Sequence, residues 1–301
     1  MKSGTTTLHR LLARHPDIFM PDRELHFFCF DDFAEHPDYV GPVAGKWKHL
    51  DFDRDPEANV SWYCRFFEGA QPHQVVGERS TVYLASTRAP KRIADLLPDV
   101  KLIFLLRDPV QRTYSHYWHR VRSGEVVASF EHTLRHAPHS LLTRSYYQRQ
   151  LEAYLRHFPR ERIKILLLEE LMLDIQRSLD EVARFLDLRT SVDAAGVSVR
   201  RHRGAAPRFP RLLLWQNRLL RHARALDQQP DLPGISRRRA GPFQRLGSGL
   251  DRALRRIQGG TGTYPAMRPK TRAFLEQYFV RENAGLSELL GVDLHQYWPY
   301  F

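Results

Sequence analysis

Two short stretches carry residue types that can handle a phosphate-like anion. KSGTTTL at 2–8 is a glycine-containing loop running into a helix start. Successive backbone N–H groups at such a turn, with the helix dipole behind them, hold phosphate or sulfate. Lys2 adds a mobile positive charge, and Thr5, Thr6 and Thr7 add hydroxyl donors. The second stretch is KLIFLL at 101–106, continued by RDPVQRTYSHY at 107–117. Ligands of open parallel sheets sit at the C-terminal ends of strands. Arg107 and Ser115 are then placed to grip a phosphate, the guanidinium by a two-pronged contact.

Each stretch alone also has a plain structural reading. The loop can be a capped helix with threonines at its start, and Arg107 a surface partner of Asp108. Residue order separates the pair from a magnesium-dependent nucleotide site. The nucleoside triphosphatase loop has its lysine after the last glycine, with Ser/Thr on magnesium. Here Lys2 precedes Gly4, and the apolar strand ends in Arg rather than a magnesium-binding Asp.

The elements around these stretches alternate. Thr7 to His15 reads as a helix closed by Pro16, residues 75–84 as a short strand and turn, and 89–97 as a leucine-rich helix. The apolar run 101–106 suits a parallel strand buried on both faces. A helix over 110–123, an amphipathic helix over 146–158, a strand over 163–171 and helices over 179–186 and 269–290 follow. Alternating strands and helices with short links predict a three-layer α/β fold with a central parallel sheet flanked by helices.

Composition fits this: 301 residues, 42% apolar and 27% charged, suit one globular domain over 1–301. No apolar run reaches the roughly 18 residues of a membrane span, and no secretory h-region follows Met1. Cys29 and Cys64 are too few for a disulfide framework, so two separate thiols in a reducing, cytoplasmic setting are expected. His132, His136 and His139 lack a carboxylate or cysteine to complete a ligand set and read as a solvated helix face, not a metal site.

The net charge of +12 is regional. Between Arg200 and Gly260 fifteen arginines face three acids, which accounts for the whole excess. Residues 200–262 read as an arginine-rich variable insertion. Within it, Leu212, Trp215, Leu219 and Leu226 fall near one helical stripe with arginines elsewhere. That pattern suits an acceptor-binding lid, a membrane-surface helix or an amphipathic packing helix.

Taken together, these motifs resemble the superfamily of sulfotransferases that use 3′-phosphoadenosine 5′-phosphosulfate (PAPS), with a P-loop-like fold. KSGTTTL looks like its 5′-phosphosulfate loop and RDPVQRTYSHY like its 3′-phosphate motif. RELHFF at 23–28 and GERSTVY at 77–83 are similar to segments of the heparan sulfate and related carbohydrate sulfotransferases. SYYQRQLEAYLRHFPRERIKILLLEEL and the stretch from GTYPAMRPK onward match further family segments. In relatives the loop follows an apolar strand, whereas Met1 stands directly before Lys2 here, so that first strand is expected to lie upstream of this sequence. Arg79 stands where many relatives have Lys, and Thr81 where they have Pro.

The resemblance implies a set of roles without a required metal. Lys2 contacts the bridging oxygen and stabilises the leaving bisphosphate, and Ser3, Gly4, Thr5, Thr6 and Thr7 cradle the 5′-phosphate. Arg107 and Ser115 bind the 3′-phosphate, and the loop 259–264, with Gly262, Thr263 and Tyr264, closes over the nucleotide. Glu24 serves as base, with His26 on the same face if the segment is extended. Arg79 and Tyr83 are acceptor-side candidates. The implied acceptor is a hydroxyl or amine of a small molecule, saccharide or glycolipid. Nucleic acid is not an expected partner, and peripheral membrane contact through the arginine-rich segment is. Two other classes stay open: a magnesium-dependent P-loop kinase or NTPase, and a non-catalytic polyanion binder.

Overall fold

The computed structural model describes residues 2–33, 35–36, 41–43, 46–48, 50–194, 207–224, 249, 251, 254 and 264–301. Helix α1 (Thr5–Leu12) is followed by strand β1 (Ile18–Phe19), the antiparallel pair β2 (Gly41–Val43) and β3 (Lys46–Lys48), and helix α2 (Pro56–Cys64). Strand β4 (Val75–Val76), helix α3 (Ala89–Leu96), strand β5 (Leu102–Leu106) and helix α4 (Pro109–Ser123) come next. Then follow α5 (Phe130–His136), α6 (His139–Leu142), α7 (Tyr147–Leu155), β6 (Ile163–Leu167), α8 (Leu168–Leu173) and α9 (Ile175–Phe185). Helices α10 (Pro210–Arg224), α11 (Pro269–Glu282) and α12 (Leu286–Leu290) complete the described elements.

The apolar strand β5 pairs in parallel with β6, Leu102 opposite Ile163 through Leu106 opposite Leu167. Alternate residues leave a strand on opposite faces. Phe104, Leu106, Ile163 and Leu167 accordingly pack with Ile93 of α3 and Tyr147, Leu151 and Tyr154 of α7. Leu105 and Leu166 pack on the other side with Leu8, Leu11 and Leu12 of α1 and Leu179 and Val182 of α9. Helices therefore cover both faces of the strand pair, which makes this an α/β fold. A second parallel pair, β1 with β4, sets Ile18 opposite Val75 and Phe19 opposite Val76. A third cluster gathers Tyr117, Trp118 and Val121 of α4 with Leu213, Leu275 and Phe279.

Two boundaries differ from the sequence expectation for physical reasons. The strand expected over 163–171 ends at Leu167, where its partner β5 also ends, and Glu169 and Glu170 then sit in the first turn of α8. Acids there complement the helix dipole. The single helix expected over 269–290 is broken at Asn283, whose Nδ2 donates to the carbonyls of Ser145 and Phe279, both at 3.1 Å. The arginine-rich segment beyond α10 lies outside the described residues, apart from positions 249, 251 and 254.

Gly4 joins the loop to α1 in a left-handed conformation, φ 89°, that L side chains rarely adopt. A Cβ there would also stand 2.7 Å from Leu168 Cδ1 and 3.6 Å from Leu105 Cδ2. Gly4→Ala is expected to lower stability by about 1–2 kcal/mol from the backbone conformation alone. A urea titration checks this: the midpoint should fall with the slope unchanged.

Candidate functional site

The loop before α1 is built from two left-handed residues, Lys2 at φ 64° and Gly4 at φ 89°. The Gly4 carbonyl accepts the N–H groups of Thr7 (2.9 Å) and Leu8 (3.2 Å), which starts the helix. The Thr7 N–H is thereby engaged, while those of Thr5 and Thr6 in the first turn have no intrahelical partner, so this end can receive an anion. Thr5, Thr6 and Thr7 all face one cleft of about 2320 Å³. That volume exceeds the roughly 300–1,000 Å³ that one small ligand occupies.

Lys2, Arg107 and Ser115 line the same cleft. Arg107 follows β5 directly and donates from Nη1 to the carbonyl of Lys2 (3.1 Å), while Tyr147 donates to the Arg107 carbonyl (2.8 Å). The strand end and the loop are thereby tied together. Burial, with Arg122 and Arg107 nearby, lowers the Lys2 ammonium to about 8. Three cations, Lys2, Arg107 and Arg122, crowd this end, a field that favours a multiply charged anion. Tyr264 stacks on Trp118 of α4 with centroids 5.4 Å apart and lines the cleft. Gly262 and Thr263 lie outside the described residues.

Glu24 and His26 also line the cleft, by a route the sequence did not anticipate. The segment is not extended. His26 sits at φ 54° and caps a 3-10 turn over Phe27–Cys29, whose rings and thiol are buried in the core. The turn sinks Phe27 and Phe28 inward, and this leaves His26 Nε2 3.8 Å from Glu24 Oε2. Glu24 Oε2 accepts the Thr81 N–H (3.0 Å) and hydroxyl (2.7 Å). Burial alone would raise its pKa, but the two Thr81 hydrogen bonds, then His26 and Arg79, outweigh this and hold it below the ordinary range. A proline at 81 would supply neither donor. Burial lowers His26 to about 4, so the imidazole is neutral at physiological pH.

Arg79 joins the two halves of the site. Its Nη1 donates to Thr6 Oγ1 (2.8 Å) and its Nη2 lies 3.5 Å from Glu24 Oε1. Ser3 is buried and, like Arg79 and Tyr83, is not among the cleft-lining residues. Tyr83 points to a buried floor instead: its hydroxyl and that of Tyr63 donate to Glu78 Oε1 at 2.8 and 3.2 Å. Ser80 donates to Glu78 Oε2 (3.3 Å) and accepts the His26 N–H (3.0 Å). Burial raises the Glu78 carboxyl to about 7.

Sequence reading passed over Thr81 as a partner of Glu24 and Glu78 as the floor of the site. It also passed over the cleft residues Arg122, His119 and Arg144. The helical spacing Ser115, His119, Arg122 was the available signal, because positions four and three apart share a face. Among the described residues no group of three or more His, Cys, Asp or Glu could hold a metal ion.

Residues 1–192 match a family model described as "Sulfotransferase family". Over 196 residues the chain is 29% identical to heparan sulfate glucosamine 3-O-sulfotransferase 3B1 of Mus musculus, covering 62% of this chain and 44% of the relative. It is 25% identical over 304 residues to bifunctional heparan sulfate N-deacetylase/N-sulfotransferase 2 of Homo sapiens, covering 96% of this chain and 28% of that protein. The chain thus spans less than half the length of these curated relatives. A solved sulfotransferase from Alicyclobacillus acidocaldarius superposes with a TM-score of 0.61 at 24% identity, covering 98% of this chain and 94% of that one, and so shares the fold.

Proposed function

Because this chain belongs to the sulfotransferase family, we propose that it transfers a sulfuryl group from PAPS to a hydroxyl or amine of a carbohydrate or glycolipid. The observation that carries this reading is the Arg79 guanidinium. It spans from Thr6 of the anion loop to Glu24, so a candidate base and a candidate phosphosulfate cradle share one side chain. The relatives' names supply the acceptor class, since both act on heparan sulfate.

In the proposed step the acceptor oxygen or nitrogen attacks sulfur in line. A new bond to sulfur forms as the sulfur–oxygen bond to the 5′-phosphate breaks. Glu24 takes the acceptor proton, and the electron pair of the broken bond leaves on the phosphate oxygen, where Lys2 faces the developing charge. Thr5 to Thr7 and the helix start hold the 5′-phosphate, and Arg107 with Ser115 holds the 3′-phosphate. His26, neutral and backed by Ser80, orients the acceptor beside Glu24. Positioning and electrostatics thus account for the step.

Calorimetry with 3′-phosphoadenosine 5′-phosphate in the absence of magnesium tests the donor. Arg107→Ala is expected to weaken binding about 10–100-fold, the value of charge-assisted hydrogen bonds to one phosphate. Adenosine monophosphate, lacking the 3′-phosphate, should bind as weakly to wild type as to the variant. Equal affinity for both nucleotides in wild type would overturn the assignment. Binding of ATP that requires magnesium would move the reading to a kinase or NTPase.

A further inference from the structure

Among the described residues, helix α10 carries an apolar ridge that its own packing does not use. Its inner arc is fully engaged: Leu213 joins the cluster with Val121 and Val126, and Asn217 Nδ2 donates to the carbonyls of Val121 (2.7 Å) and Val126 (2.8 Å). Gln216 Nε2 donates to Asp251 Oδ1 (2.7 Å). Leu212, Trp215 and Leu219, spaced three and four apart, lie on another arc and are 47, 60 and 57% exposed. Phe209, just before the helix, is 47% exposed as well. At 3.6 residues per turn these side chains form one stripe, and Arg211 and Arg218, both exposed, flank it on the side away from the core. No Asp or Glu occurs between Asp193 and Asp227.

Contiguous large apolar side chains in water mark an interaction surface. The charge beside them decides among occupants. A second copy in twofold contact would bring Arg211 and Arg218 against a surface of the same sign. A soluble polyanion would pair with the arginines and leave Leu212, Trp215 and Leu219 in water. An anionic bilayer surface uses both arcs: leucine and tryptophan enter the headgroup–acyl boundary, and guanidinium groups meet lipid phosphates.

We propose that the outer face of α10 docks the protein on a lipid surface rich in anionic headgroups, with the helix lying in the plane of the interface. The inner arc is fixed to α4, whose Ser115, His119 and Arg122 line the cleft. Helices pack about 8–10 Å apart, so the docked protein carries its cleft within about one helix layer of the lipid. Neither the ridge nor its charge depends on which acceptor the cleft receives.

Co-sedimentation of the full chain with vesicles tests it. Binding to vesicles of equal parts phosphatidylglycerol and phosphatidylcholine is expected, with little binding to phosphatidylcholine alone. Leu212→Gln combined with Leu219→Gln is expected to weaken partitioning about tenfold or more, since each substitution removes apolar area that the leucine buries in the lipid. In a Trp47→Phe background, Trp215→Phe should keep binding but lose the vesicle-induced blue shift of tryptophan fluorescence, because the remaining Trp62, Trp118 and Trp298 are buried in the protein. This second variant decides the question even if the double variant folds poorly. Three results would each overturn the proposal: no preference for the anionic vesicles, binding that salt abolishes but the double leucine change leaves intact, or a dimer by light scattering that the double change dissociates.

Discussion

Glu24→Gln is expected to slow sulfuryl transfer by about 10²–10⁴-fold, the usual contribution of a positioned general base. Affinity for 3′-phosphoadenosine 5′-phosphate should stay within about twofold, because the change acts on the proton and not on the phosphate cradle. The amide keeps the shape of the carboxyl and an oxygen to accept the Thr81 N–H and hydroxyl, so the loss reports proton-accepting capacity rather than a collapsed loop. Turnover is read as release of 3′-phosphoadenosine 5′-phosphate with a panel of saccharide acceptors. The carboxylate of Glu24 is held below the ordinary range, since its Thr81 hydrogen bonds, His26 and Arg79 together outweigh burial. A group lowered in this way stays ionised as pH falls, so the acid limb of the wild-type profile should lie below that of an ordinary glutamate. A base of low pKa accepts its proton late, when the acceptor oxygen has already begun bonding to sulfur. A loss of less than about tenfold would remove Glu24 from the base role. A larger loss in His26→Gln would then hand it to the neutral imidazole.

The elements nearest the chemistry were the most legible. The LIFLL of β5 is apolar without alternation, and its partner β6 is apolar apart from Lys164, so both faces had to be covered by helices. Pro109 at the start of α4 and Gly124 at its end mark the helix that carries Ser115, and Asp108 caps it by accepting the Gln111 N–H (2.9 Å). Helix α2 was missed although Asp55 caps it by accepting the Ala58 N–H (3.1 Å) and Pro56 opens it. Its buried Asn59, Trp62 and Tyr63 and its exposed residues give no clean apolar stripe, because neighbouring rings such as Phe27 stack on Tyr63 from outside the helix. The site showed the same division. Lys2, Arg107 and Ser115 could be placed because a loop, a strand end and a helix fix their direction. The Glu24–Thr81 contact joins residues 57 apart through two irregular segments, and no periodicity announces such a meeting. Thr81 stood out only as a departure from relatives. Its two donors to Glu24 give that departure a physical meaning.

Lys2→Ala is expected to reduce kcat about 10²–10³-fold, comparable to loss of one preorganised donor at a developing oxyanion. Lys2→Arg should recover part of this, since charge returns but the guanidinium fork does not reproduce a compact ammonium. The pH dependence separates an electrostatic role from a structural one. Burial, Arg122 and Arg107 lower the Lys2 ammonium to about 8 in the free protein. A lysine is cationic below its pKa, so kcat/KM for the donor should fall with rising pH above about 8. The slope approaches tenfold per pH unit if one proton is required. A bound phosphosulfate places negative charge beside the ammonium and raises its pKa again. The decline in kcat should therefore begin at higher pH than the decline in kcat/KM, and Lys2→Arg should flatten both, because a guanidinium does not titrate in this range. A basic limb that persists unchanged in Lys2→Arg would assign it to another group. A kcat in Lys2→Ala within about tenfold of wild type would remove Lys2 from the bond-breaking step. The leaving charge would then rest on Arg107 and the helix start, the remaining groups that the loop and strand end bring to that side of the cleft.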